Sequence, residues 1–262
     1  MNSENIINKD KVELNQIKLK DMFENIKSKY ILNKVFNHIK RKQLLDIFKY
    51  NKNIQKRINI NIDDYKEYSE KFSLIEIEVK PVNNKYGEFI KINEKDKIYY
   101  HIYFNNNDKE IKRNCINKDE QIKIIKIIID YQITSFKDLF YKCECIEYIY
   151  FKKFHRNNIN NMSCMFLGCS SLKELNINNL KTNNVTNMAE MFRRCISLKE
   201  LNLNNFNTIN VLAMSYMFCG CSSLKELNLN NFNTNNVTNM TGMFYGCSSL
   251  KEMNLINLTL II

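Results

Sequence analysis

The 262-residue chain has no tryptophan, one proline, five glycines and three histidines. His38, His101 and His155 lie in three different regions, so no histidine cluster forms along the sequence. No serine or cysteine sits in a nucleophile motif, and neither G-x-G-x-x-G nor G-K-[ST] occurs. These absences leave catalytic residues: none, and the reading is non-enzymatic. No run of 18 apolar residues could span a membrane, and residues 1–10 lack the apolar stretch of a secretory signal. Nine cysteines are an odd number without a matched pair of C-x-x-C units, which argues against both a disulfide framework and a zinc site. A reducing cytoplasm is the expected compartment, with the cell surface as the alternative; no cofactor and no metal are expected.

Asparagine, lysine and isoleucine are overused, which reads as the compositional bias of an AT-rich genome rather than selection for asparagine. Composition is otherwise globular, 44% hydrophobic and 26% charged. The net charge of +11 is concentrated early in the chain. Residues 18–57 hold twelve Lys or Arg against Asp21, Glu24 and Asp46.

Residues 12–58 carry apolar stripes at helical spacing: Leu19/Met22/Phe23/Ile26, Ile31/Leu32/Val35/Phe36/Ile39 and Leu44/Leu45/Phe48. Domain one is therefore a basic helical segment, residues 1–60. From residue 73 the pattern turns to alternation, with Ile75, Ile77 and Val79 against Glu76, Glu78 and Lys80. β-Branched and aromatic runs follow at 89–92 and 98–104, with a turn at Asn105–Asp108. Domain two, residues 61–121, is a small antiparallel β unit.

The remainder is dominated by a repeat. Cysteines fall at Cys143, Cys169, Cys195, Cys221 and Cys247, always 26 residues apart. Each unit contains L-x-x-L-x-L-x-x-F/L, as in Leu198/Leu201/Leu203/Phe206, a leucine-rich strand segment. Each also contains M-x-x-M-F, as in Met188/Met191/Phe192, whose spacing predicts one inward helical face. Asn161, Asn187 and Asn239 stand where an N-cap would be, and Gly168, Gly220 and Gly246 where a left-handed stop would be. Ala213 and Arg194 break those two rules, so their coils are expected to be the least regular. Ile124–Ile129 reads as the strand of a degenerate first coil. Domain three is thus residues 122–262, and the whole is α+β: short helices, a small antiparallel β unit, then a leucine-rich-repeat solenoid of about five 26-residue coils.

The phrases N-V-T-N-M-T-G-M-F-Y-G-C-S-S-L-K-E-M-N-L (236–255) and N-V-T-N-M-A-E-M-F (184–192) resemble the BspA-like leucine-rich repeat of bacterial, mycoplasma and protist proteins. The resemblance implies surface attachment and protein binding without catalysis.

Alternation on the strand points Tyr148, Tyr150 and Lys152 outward, followed by rows of Glu174/Asn176/Asn178, Glu200/Asn202/Asn204 and Glu226/Asn228/Asn230. This strand face is the candidate surface for a protein partner of unknown identity. The basic segment offers a contact with nucleic acid or acidic membrane, densest at Lys40, Arg41, Lys42, Lys56 and Arg57. Residues 31–48 also resemble an F-box, making a ubiquitin-ligase substrate receptor one alternative function and surface adhesion another. The apolar end, Leu258–Ile262, predicts an open edge that pairs with a second copy.

Overall fold

A computed structural model describes Lys52, Lys56, Glu70, Phe72 and residues 73–254. All but Lys52 and Lys56 belong to one compact unit, Glu70–Ile262. The expected helices of residues 12–58, the F-box-like segment and the C-terminal edge at 258–262 lie outside the described residues, apart from Lys52 and Lys56.

Among the described residues ten strands follow in chain order: β1 (Ile75–Pro81), β2 (Gly87–Glu88), β3 (Tyr100–Phe104), β4 (Glu110–Ile111), β5 (Cys115–Ile116), β6 (Ile125–Ile129), β7 (Ile146–Lys153), β8 (Glu174–Asn176), β9 (Glu226–Asn228) and β10 (Glu252–Asn254). Six form a mixed sheet in the order β4-β3-β6-β1-β7-β8, in which only β7 and β8 run parallel. The others pair as β9–β10 and β2–β5. Among the described residues from 73 onward the sole helix is a single 3-10 segment, Glu94–Tyr99. The α+β solenoid expectation is therefore corrected: the described part is strands and turns around a mixed sheet.

The N-terminal strands form as alternation requires. Ile75, Ile77 and Val79 of β1 and Ile125, Ile127 and Ile129 of β6 are fully buried on one face. Asn105 and Asn106 both adopt positive φ (54° and 57°) and Asn107 N–H returns to Phe104 O, a tight turn that opens the connection from β3 to β4. Where β6 would adjoin β7 as the strand of a first coil, β1 is inserted between them, antiparallel to both. The 26-residue register survives on the other side of that coil, where Ser135 bridges Asn161 directly.

The M-x-x-M-F segments are turns, and the cause is where their N–H groups point. Met162, Cys164, Phe166 and Gly168 donate to the carbonyls of Asn187, Ala189, Met191 and Arg193 in the next coil, at 2.8–2.9 Å. The same 25-residue offset recurs from Phe136→Asn161 to Gly220→Tyr245. A helix would send these bonds back four residues within the coil. Left-handed residues at Cys164, Glu190, Tyr216 and Gly242 (φ 54–62°) also forbid continuous helix. Short i→i+3 bonds close each turn instead, such as Met191 N–H to Met188 O at 3.3 Å. The asparagines cap turns rather than helices: Asn187 Oδ1 accepts Ala189 N–H at 2.9 Å. The Ala213 and Arg194 turns themselves keep the pattern, although the Arg194 coil, between β8 and β9, forms no strand of its own as expected for the less regular coil. Ala213 bridges Asn187 and Asn239, and Arg194 takes φ 59° and donates to Cys219 O at 2.8 Å.

Inside the stack each repeated side chain meets its copy. Phe140, Phe166, Phe192, Phe218 and Phe244 stack with centroids 5.6–5.7 Å apart and planes within 7°. That exceeds the roughly 4.8 Å coil rise because parallel rings prefer an offset. Buried Met188, Met214, Leu198 and Leu224 fill the rest.

Asparagine bias has a structural use after all. Asn205 Nδ2 donates to Asn178 O, Asn210 Nδ2 to Asn183 O and Asn236 Nδ2 to Ile209 O, each at 2.7 Å and each 27 residues back. Buried Thr208 donates to Asn233 O at 2.9 Å and accepts Asn233 N–H at 2.7 Å. These side chains join coils where strand pairing is short or interrupted between β8 and β9.

Two stability outcomes follow. Thr208→Val keeps shape but orphans a buried donor and acceptor partner, so urea unfolding should lose about 1–3 kcal/mol; an unchanged midpoint would contradict this bridge. Arg194→Gly relieves left-handed strain of roughly 1–2 kcal/mol. It also loosens the unfolded chain, at a cost of about 0.5–1 kcal/mol. A net gain of about 0 to 1.5 kcal/mol in urea unfolding is expected, whereas a clear loss would contradict the left-handed assignment.

Candidate binding surface

The outer face of the six-stranded sheet brings Tyr148, Tyr150 and Lys152 together with side chains from far earlier in the chain. One cross-strand row runs Tyr103, Lys126, Glu78, Tyr150, Asn176 over β3, β6, β1, β7 and β8. A second row sets Lys80 beside Tyr148 and Glu174. Lys152 pairs with Glu78, and Lys153 with Glu76 at 3.0 Å. Lys80 Nζ lies 4.7 Å above the Tyr148 ring, and Lys126 Nζ 5.8 Å from the Tyr103 ring. Partial burial, followed by the Glu78 charge, raises the Tyr148 pKa. The Glu78 hydrogen bond raises that of Lys152.

Further along, Glu174, Glu200 and Glu226 are exposed, as are Asn178, Asn202, Asn204 and Asn228, while Asn176 and Asn230 are half-buried. Much of this asparagine polarity is already committed. Asn176, Asn202 and Asn228 Oδ1 accept the N–H two residues on, at 3.0–3.3 Å. Lys173 reaches back to Glu147 at 2.8 Å. The rows line shallow, open troughs rather than an enclosed cavity. Lys56 is helical and exposed. Lys40, Arg41, Lys42 and Arg57 lie outside the described residues.

Several residues were not singled out from sequence. Tyr103, Lys126, Glu76, Glu78 and Lys80 join the face through the insertion of β1, a non-local pairing with no local signal. His101 sits between two carboxylates, Nδ1 2.9 Å from Glu110 and Nε2 3.4 Å from Asp130. Arg156 is fully buried, donating to Asp130 O at 2.9 Å and Ile133 O at 3.1 Å, and desolvation pulls its pKa down to about 10. Among the described residues no group of three His, Cys, Asp or Glu is placed to hold a metal, and no helix is long and apolar enough to cross a membrane.

The column of cysteines has a polar role beside its packing one. Sγ of Cys169, Cys195, Cys221 and Cys247 donates to the carbonyl of Phe140, Phe166, Phe192 and Phe218, at 2.9–3.2 Å. Each thiol therefore closes onto the preceding coil. Burial pushes the Cys143, Cys169 and Cys195 thiols well up and Cys221 to about 12. Such thiols are poor nucleophiles.

Residues 134–257 match the family described as "Mycoplasma protein of unknown function, DUF285". Among solved structures, the crystal structure of a leucine-rich-repeat protein of T. pallidum is similar at 18% identity and TM-score 0.32, over 45% of this chain and 50% of that one. The chain thus spans about half the length of that relative. No curated protein matches the chain. The repeat half is accordingly similar to a family of unknown function.

The thiol column carries a pH dependence. Unfolded thiols titrate near 8.5. The folded pKa values are raised, so the folded state holds its protons longer. The stability they contribute is complete below about pH 8.5 and lost as pH rises from there toward the folded values. Urea midpoints should be flat from pH 6 to 8 and fall between pH 8.5 and 9.5; a flat profile across both windows would contradict it.

Proposed function

We propose that this protein is a non-enzymatic scaffold that binds another protein through the outer face of its mixed sheet. The supporting observation is the row Tyr103–Lys126–Glu78–Tyr150–Asn176, which sets two tyrosines among alternating charges on five backbone-paired strands. Tyrosine supplies contact area at small entropy cost, and the strands hold it rigid. The identical Glu–Asn rows beyond β8 continue the surface without adding distinction. Binding is centred where the side chains differ, at Tyr148 and Tyr150. The BspA-like type of repeat, with its association with attachment, is compatible with this reading. Placement in the cytoplasm or at the cell surface decides which kind of protein is met, not which face meets it.

The full chain used as bait in extract of its own cells tests this directly. Tyr148→Ala with Tyr150→Ala should reduce the stoichiometrically retained protein at least tenfold with thermal stability preserved. Equal retention by the double variant and the wild type would refute the assignment of the face.

A further inference from the structure

His101 of β3 stands between two carboxylates, and its two contacts are unequal. Nδ1 meets Glu110 Oε1 of β4 at 2.9 Å, an ordinary hydrogen bond. Nε2 meets Oδ1 of Asp130, the residue after β6, at 3.4 Å. The three residues are scattered in sequence and gather only because β3 pairs with both β4 and β6. We propose that His101 Nε2 and Asp130 Oδ1 together bind a zinc-like divalent cation, with Glu110 orienting the ring from its far side. This site is independent of the protein-binding reading above.

Proton placement points to a cation. A neutral imidazole has one N–H and one lone pair. The proton belongs on Nδ1, where Glu110 accepts it at hydrogen-bond distance. Nε2 then turns its lone pair toward an ionised carboxylate, so two acceptors face each other. A doubly protonated ring would answer both carboxylates, but such charge-assisted bonds close to about 2.7–2.9 Å. The Asp130 contact, at 3.4 Å, is too long for one. It matches instead the spacing of two ligands on one tetrahedral zinc, roughly 3.3–3.4 Å when each bond is about 2.0–2.1 Å. An imidazole nitrogen selects zinc and its neighbours over magnesium or calcium, which take oxygen ligands.

The surroundings support both roles. Lys112 neutralises Glu110 at 2.6 Å, which leaves Asp130 as the carboxylate free to ligate. A carboxylate on the far nitrogen of a metal-bound histidine fixes its tautomer and raises its basicity, which is the part Glu110 plays. Arg156 Nη1 holds the Asp130 carbonyl at 2.9 Å, and Asp130 N–H donates to Tyr99 O at 2.9 Å, so the backbone carrying the ligand is fixed. The same arginine charge opposes a cation and keeps the affinity modest. Ile128, opposite His101 on β6, is the uncharged neighbour across the ladder. The side chains of His101, Glu110 and Asp130 are 26–31% exposed, so water fills the remaining metal positions. Two protein ligands with solvent make the site, in keeping with the absence of any three-ligand cluster among the described residues.

Proton–nitrogen correlation spectra of the histidine rings in the full chain, titrated with zinc chloride, test the proposal. The ring signal is read rather than total zinc uptake, because the free thiols also take zinc. Loss of one signal in His101→Gln assigns the ring. Without metal it should be the Nδ1–H tautomer; zinc should shift its Nε2, and magnesium chloride should not. Glu110→Gln should weaken the zinc response about 10–100-fold, and Asp130→Asn at least about tenfold. Should a variant fail to fold, the wild-type tautomer and zinc shift decide alone. An Nε2–H or doubly protonated ring that zinc leaves unmoved would overturn the site. So would a wild-type titration in Asp130→Asn or an equal response to magnesium. Shifts confined to His38 or His155 would mean an adventitious ion only and would overturn it as well.

Discussion

Everything in the repeat half depends on one constraint: the N–H groups of each M-x-x-M-F turn are satisfied by the next coil rather than by their own. Donation at a fixed 25-residue offset ties the period of the sequence to the rise of the stack. A buried N–H left without a partner costs about as much as a lost hydrogen bond. An insertion of one residue would therefore misplace every donor in a coil together. The fixed period follows from that shared register.

The same constraint explains which letters of the repeat are uniform. Phenylalanine stacks on phenylalanine, and its carbonyl takes both the N–H of its own coil's cysteine and the thiol of the next. Threonine and asparagine side chains bridge coils where strand pairing lapses. Side chains committed to neighbouring coils carry little information about an outside partner. The recognition proposed for this chain falls instead to positions with no such duty, the tyrosines where β1 interrupts the stack.

Much of this architecture is legible in the chain. The 26-residue cysteine spacing gives the stack, and alternation in 75–79 gives an inward and an outward side. Other features are not. The i, i+3, i+4 spacing of Met188, Met191 and Phe192 fits a helix and a turn with inward side chains equally well. Only the direction of the N–H groups and the left-handed Glu190 separate them, and neither is written in residue type. The insertion of β1 between β6 and β7 is equally silent, since both flanks are ordinary isoleucine-rich strands. Asparagine shows the converse error: a bias that looks compositional proves to include repeated inter-coil donors. Alternation predicts outward Glu and Asn rows, but the half-burial of Asn176 and Asn230 and the Asx turns made by Asn202 and Asn228 are not visible there.

The ladder itself can be observed directly. Scalar couplings across hydrogen bonds in the deuterated protein report which carbonyl each N–H meets. The structure predicts couplings from Met188, Glu190 and Phe192 N–H to the carbonyl carbons of Ala213, Ser215 and Met217. Coupling of Phe192 N–H to the Met188 carbonyl instead would make these segments helices and contradict the account.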